Sequence, residues 1–147
     1  MSVERIEEAQ HAFERGLTVL ESLGEAGKGT NLRNAHMVCW NGLCEVIRRQ
    51  GDTNSLDSTA SKYLERLKEW RKSDSDVNLL LTQLQVLALR CAARLANGHK
   101  AQAEADLADA ETGVAELQRL DPHSDQTKAI EGWLVDLKRS VRSQEGR

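Results

Sequence analysis

The sequence predicts an all-α protein of about six antiparallel helices, and three observations carry that prediction. Leucine and alanine dominate a 147-residue chain that holds one proline, one phenylalanine and one tyrosine, a balance that favours helix over strand. Turn-forming breaks fall near residues 26, 51, 74, 98 and 122, so segments of similar length alternate with short connections and must pack as antiparallel neighbours. The stretch Leu79–Ala96, LLLTQLQVLALRCAARLA, has thirteen apolar residues in eighteen. A helix apolar around most of its circumference is one that neighbours bury. It is interrupted by Thr82, Gln83, Gln85, Arg90 and Arg94, and at roughly 27 Å it reads as the central helix of a soluble array rather than a membrane span.

One domain spanning 1–147 is expected, with helices at approximately 2–23, 31–50, 55–72, 76–97, 100–120 and 124–143. Ser2 is a good N-cap for the first, with Glu4, Glu7 and Glu8 near its positive end. Its apolar stripe is Val3, Ile6, Ala9, Phe13, Leu17, Leu20 and Leu23. Gly24 and Gly27 stop it. Thr30 or Asn31 caps the second, whose apolar positions (Leu32, Ala35, Val38, Cys39, Leu43, Val46, Ile47) spread widely beside Trp40, and Gly51-Asp52 ends it. Asn54, Ser55 or Asp57 begins the third, carrying Leu56, Ala60, Tyr63, Leu64, Leu67 and Trp70. Ser75 or Asp76 caps the central helix, and Asn97-Gly98 closes it. An alanine-rich fifth helix ends at Asp121-Pro122, because proline cannot continue a helix. Ser124 or Asp125 starts the sixth, with Ile130, Trp133, Leu134, Leu137 and Val141 on one face.

Composition excludes some classes of function. A net charge of −3 and a pI near 5.8 give no general attraction to nucleic acid or anionic lipid. Three cysteines inside apolar helical patterns fit a reducing compartment, and the acidic N-terminus is unlike a signal or transit peptide. The expected location is the cytoplasm or the nucleus.

No catalytic constellation stands out. Gly24-Glu-Ala-Gly27-Lys28-Gly29-Thr30 has the glycines of a phosphate loop, but Ser22 stands where the first glycine belongs and Gly29 follows the lysine, so it reads as an interhelical turn. His36 and Cys39 are helical neighbours, but Cys44 points about 140° from Cys39, so the three do not converge on a metal. Neither cofactor nor metal is expected. Charge is uneven: residues 28–72 hold nine Lys/Arg against five Asp/Glu, whereas 101–125 hold Arg119 against seven acids. The basic run Arg48, Arg49, Lys62, Arg66, Lys68, Arg71 and Lys72 is broken by Glu65 and Glu69, which argues against nucleic-acid binding.

The segment Ala110-x3-Val114-x2-Leu117-x2-Leu120-Asp121-Pro122 resembles the second helix of a tetratricopeptide repeat with its closing proline. The helix before it departs from that family: Gly98 lies in a turn, the Trp-Leu-Gly-Tyr pattern is missing, and the hairpin is longer than the family's. The resemblance implies a short superhelix of stacked hairpins with elongated helices, and a partner-binding role; a closed bundle is the alternative architecture.

If hairpins stack in that way, the second, fourth and sixth helices share a surface. Each carries a polar stripe with equal spacing: Asn34, Asn41, Glu45 and Arg48; Gln83, Arg90, Arg94 and Asn97; Glu131, Lys138, Arg142 and Glu145. Asn41, Arg48, Gln83, Arg90, Arg94, Lys138 and Arg142 are therefore the expected partner-binding residues, where arginines and amides hold a peptide or partner helix in a groove. The expected function is a non-enzymatic protein-interaction module: an adaptor, a chaperone-like binder or a subunit of an assembly. Self-association through Trp40, Trp70 or Trp133 is a secondary expectation. Two readings compete, a small-ligand binder or enzyme using an interhelical pocket lined by His36, Cys39 or Tyr63, and a nucleic-acid-associated helical subunit. Two arginines in a dry interior are too costly unpaired, so the Arg90–Arg94 edge must meet water, an acidic helix or a ligand.

Overall fold

A computed structural model describes residues 2–23 and 30–143. These form six helices: α1 Val3–Ser22, α2 Thr30–Gln50, α3 Thr53–Ser73, α4 Val77–Ala96, α5 Lys100–Leu120 and α6 Asp125–Ser143. There is no strand among the described residues. The fold is all-α, and every helix bound lies within two residues of the expected one. The glycine-rich stretch 24–29 and Glu145 lie outside the described residues.

The connections are short because side chains and two glycines finish each helix locally. Ser2 Oγ accepts from the Arg5 amide (3.3 Å) at the start of α1. Asp76 accepts from the Asn78 amide (2.9 Å) and opens α4. Ser124 Oγ accepts from the Thr127 amide (3.0 Å) at the start of α6. Gly51 and Gly98 take φ of +74° and +76°, the left-handed conformation in which a Cβ is strained. One start differs from expectation. Asp52, read from the sequence as part of the terminator of α2, accepts from the backbone amide and hydroxyl of Ser55 (3.0 and 2.6 Å) and so caps α3 two residues early. A single Gly-Asp pair ends one helix and begins the next.

Contacts gather into two compact units, Met1–Thr59 and Ala60–Arg147, and α3 crosses the boundary. In the first unit α1 packs on α2. Gly16 faces the Cys39 sulfur and Gly42 faces the Phe13 ring, so the two backbones approach at positions without a side chain. Leu17, Trp40, Leu43, Cys44, Val46 and Ile47 are buried. Val3 and Val38, expected on apolar stripes, are exposed. Val3 sits at the free start of α1, and Val38 occupies the outer side of a helix that is buried over only part of its circumference.

In the second unit α4 packs on α5 and α5 on α6. The α4–α5 contacts run antiparallel, from Arg94 and Cys91 opposite Asp106 and Ala103 to Leu84 opposite Gly113. Leu79, Leu80, Leu81, Leu84, Val86, Leu87, Cys91 and Ala93 make α4 the most buried helix. By length and composition alone α4 is also the one described helix long and apolar enough to cross a membrane. In this fold those leucines face other helices. Thr127 is completely buried at the start of α6, where its hydroxyl donates to the Asp121 carbonyl (2.7 Å) and ties down the Asp-Pro turn.

Gly42→Ala places a methyl group against the Phe13 ring. Helix propensity favours the alanine by about 1 kcal/mol, but forced overpacking costs about 1–3 kcal/mol, so a net loss of about 1 kcal/mol is expected. Gly132→Ala, with open space around it, should gain about 0.5–1 kcal/mol. Urea unfolding of both variants checks the pair, and equal shifts of the same sign would contradict this packing.

Candidate functional site

The buried residues of the second unit include one charged side chain. On α5 the buried positions are Ala103, Asp106, Ala110, Val114 and Leu117, a helical spacing in which a carboxylate replaces an apolar side chain. Asp106 is 1% exposed. Arg90 Nη2 donates to its Oδ1 at 2.7 Å, Arg90 Nε donates to both oxygens (3.2 and 3.1 Å), and Arg94 Nη1 donates to Oδ1 at 2.8 Å. The remaining Arg90 nitrogen, Nη1, donates to Ser61 Oγ on α3 (3.1 Å). The side chains of Arg90 and Arg94 are 13% and 15% exposed. The Arg90–Arg94 edge of α4 thus meets an acid within the chain, and three helices are joined by one charge cluster.

A second junction lies about three turns along α4. Arg71 of α3 donates to Gln83 Oε1 of α4 (2.8 Å) and to Glu116 Oε1 of α5 (2.7 Å). It crosses a cleft of about 180 Å³ whose floor is Leu80, Leu84 and Leu87. Lys68, Asp109 and Thr112 also line it, with Gly113, where a Cβ would come within 2.6 Å of Leu84. Lys68 and Asp109 are exposed and form no ion pair with any described residue. The cleft combines an apolar floor, a neutralised Arg71–Glu116 pair and two unspent charges of opposite sign at its edge.

The sequence-expected residues are distributed between these places and the surface. Gln83 belongs to the cleft; Arg90 and Arg94 hold Asp106. Asn97 is the C-cap of α4. Lys138 reaches Glu111 of α5 at 3.7 Å, and Arg142 is exposed further along α6. Asn41 and Arg48 lie on the exposed side of α2. Arg48 and Arg49 both bind Glu45 (2.8–2.9 Å), and these hydrogen bonds, Arg48's foremost, lower the Glu45 carboxyl to about 2. Four of the basic residues of α2 and α3 are therefore ion-paired, since Arg71 pairs with Glu116 of α5 and Lys72 with Glu69 as well.

No family model, curated protein or solved structure matches this chain. Its site must be read from its own residues.

His36 is buried, and no group of three His, Cys, Asp or Glu among the described residues is arranged to hold a metal. Burial raises the Cys44 thiol to about 12 and the Cys91 thiol to about 11, so both are poor nucleophiles near neutral pH. Tyr63 is fully buried and does not line the cleft. Sequence reasoning missed Lys68, Arg71, Asp109, Thr112 and Glu116, which come from two helices outside the predicted stripes. Asp106 carried a readable signal, an acid on an otherwise apolar helix face.

Asp106→Asn keeps the shape and removes the carboxylate charge that Arg90 and Arg94 share in a largely buried setting. Breaking a buried pair costs about 3–5 kcal/mol, and the partial exposure of both arginines places the expected loss near about 3 kcal/mol. Denaturant unfolding should show this, with a smaller loss for Glu116→Gln, whose carboxylate is more exposed. A neutral Asp106→Asn would contradict the structural role of the cluster.

Proposed function

We propose that the chain is a non-enzymatic protein-interaction module, with the α3–α4–α5 cleft receiving a short segment of a partner protein. The observation that carries this reading is the pairing of an aliphatic floor with the uncommitted charges of Lys68 and Asp109. A segment placing one aliphatic side chain over Leu80, Leu84 and Leu87 puts a neighbouring carboxylate near Lys68 and a neighbouring cation near Asp109. The Arg71–Glu116 and Arg71–Gln83 bonds hold the walls and supply polar edges for a peptide backbone.

Size separates this reading from a small-ligand or enzymatic pocket. At about 180 Å³ the cleft admits one side chain, whereas small-molecule sites enclose about 300–1,000 Å³. The ion pairing of Arg48, Arg49, Arg71 and Lys72 speaks against a nucleic-acid surface, which needs uncompensated cations along one face. The hairpin series, with its Asp-Pro terminator, supports a tetratricopeptide-like array of elongated helices, and a cleft between consecutive helices suits such a scaffold. In this reading the module acts in the cytoplasm or nucleus as an adaptor or an assembly subunit, and it needs no cofactor.

Selection of a displayed random peptide library on the immobilised chain tests the proposal. The expected winners share an aliphatic residue flanked by charges of opposite sign. Lys68→Ala or Asp109→Ala should weaken them about 3- to 10-fold, the worth of one polar contact, and Thr112→Trp should abolish binding by filling the cleft. Peptides that bind Thr112→Trp as well as wild type, or no enrichment at all, would overturn the reading.

A further inference from the structure

The floor and the two walls of the α3–α4–α5 cleft differ in kind. Leu80, Leu84 and Leu87 of the floor follow the spacing i, i+4, i+7 along about 10 Å of α4. The α3 wall presents Lys68 and Arg71, and the α5 wall presents Asp109 and Glu116. Contacts on either side fix the levels of these residues. Arg90 of α4 meets Ser61 and Asp106, whereas Gln83 and Glu116 share Arg71. Lys68 and Asp109 therefore fall at one level, near Leu84 and Leu87, on opposite sides of the cleft. The Arg71 bridge closes the other end. Glu69, beside Lys68, is taken by Lys72 at 3.1 Å. Glu65, one turn before Lys68, and Arg119, one turn past Glu116, are exposed and reverse the sign of each wall. The contrast of charge across the cleft thus lasts about two helical turns.

The ways in which proteins recognise peptides leave one form for a segment held here. An added strand needs a sheet edge, and the described residues contain no strand. A polyproline segment needs aromatic rings, and the lining contains none. Capture of a phosphate or a chain-end carboxylate needs clustered arginines or free backbone amides. The one arginine of the lining is bonded to Gln83 and Glu116. Every lining residue lies inside a helix, where backbone amides are bonded within the helix itself. A helix remains, and it brings its own backbone hydrogen bonds. The geometry agrees. A strand laid along the cleft directs its inward side chains in a single line. A helix splays the residues three and four from an inserted side chain to both flanks, which is what opposite charges on two facing walls require.

Building on the partner-segment reading, we propose that the cleft receives an amphipathic helix of a partner protein, laid along α4. One leucine-sized side chain enters as a knob between Lys68, Arg71, Asp109 and Thr112. Acidic residues one turn from the knob face α3, and basic residues one turn from it face α5. In the partner's sequence this is an aliphatic residue at i, acids at i−3 and i+4, and bases at i−4 and i+3. The pattern with both signs exchanged is equivalent, because a helix turned end for end presents its flanks in reverse. The pair beside Lys68 and Asp109 carries most of the discrimination, since Arg71 and Glu116 already answer each other. Charge complementarity selects this occupant. Its two-turn extent keeps the contact below the roughly 1,200 Å² of standard interfaces, so a micromolar complex is expected.

The probe is a short, labelled, alanine-rich peptide with a central leucine and that charge pattern. A hydrocarbon bridge between i−2 and i+2 on its outer face locks the helix, and fluorescence anisotropy reads binding. An isomer of identical composition, with both acids before the leucine and both bases after it, should bind about 5-fold more weakly, the worth of two exposed ion pairs. An unbridged version with proline beside the leucine should lose at least about tenfold, because proline breaks a helix interior. Lys68→Glu should weaken the probe about tenfold and turn the preference to a peptide with lysine on both flanks. Thr112→Trp should abolish binding, with circular dichroism confirming that both variants are folded. An isomer that binds equally, or a proline peptide that binds as well as the bridged helix, would overturn the proposal. Failure of the bridged peptides while library-selected peptides still bind would overturn it too and leave the partner-segment reading standing. Failure of the library as well removes both. A concentration-dependent mass above 16.4 kDa without peptide, lost in Thr112→Trp, would assign the cleft to a second copy instead.

Discussion

A carboxylate withdrawn from water beneath aliphatic side chains is stable only when its charge is answered within hydrogen-bonding distance. Asp106 is answered by Arg90 and Arg94, and the rest of the second unit follows from that requirement. The two arginines are one helical turn apart, so a single carboxylate reaches both only where α5 passes close to α4 and antiparallel to it. Ser61 takes the outward nitrogen of Arg90 and brings α3 into the same junction. Shifting α4 against α5 by one residue rotates the arginines off Asp106 and leaves its carboxylate buried without the ion pairs that answer it. Leucine packing tolerates such slips more readily than ionic pairing does, because hydrophobic contact has no preferred direction.

With register set at that point, the opposite end of the same three helices is set too. Leu84 meets Gly113, a position where any side chain would hold the helices apart, and Arg71 spans from α3 to both neighbours. The cleft is what remains between rigid attachments at its two ends. Its floor is core, its walls are ion-paired, and its edge is charged. A binding surface of this kind is organised before a ligand arrives, which limits the conformational cost of association.

Legibility in the sequence followed physical locality. Helix bounds came within two residues of those observed, because caps, glycine turns and the Asp-Pro stop act over three or four residues. Buried faces on α3, α4 and α6 were read from periodicity, since burial recurs with the helical repeat. Asp52 was read correctly as part of the end of α2 but not as the cap of α3, because one residue can do both and nothing in composition shows the second role. The reading of α4's polar edge as a place that must meet water, an acid or a ligand was sound as chemistry. The identity of the acid was not legible, because it lies on another helix and is one of seven acids in that region.

The sequence by itself determined six amphipathic helices, their lengths and turns, and the fact that α4 must be surrounded. Those properties depend on near-neighbour geometry and on the free energy of removing apolar surface from water. Tertiary structure decided which polar residues are spent inside the fold and which remain available. Arg90 and Arg94 look identical in spacing to Lys138 and Arg142, yet the first pair binds buried Asp106, whereas Lys138 makes only a long contact to Glu111 and Arg142 is exposed. That difference depends on what stands opposite each helix, and only the packing of one helix on another specifies it.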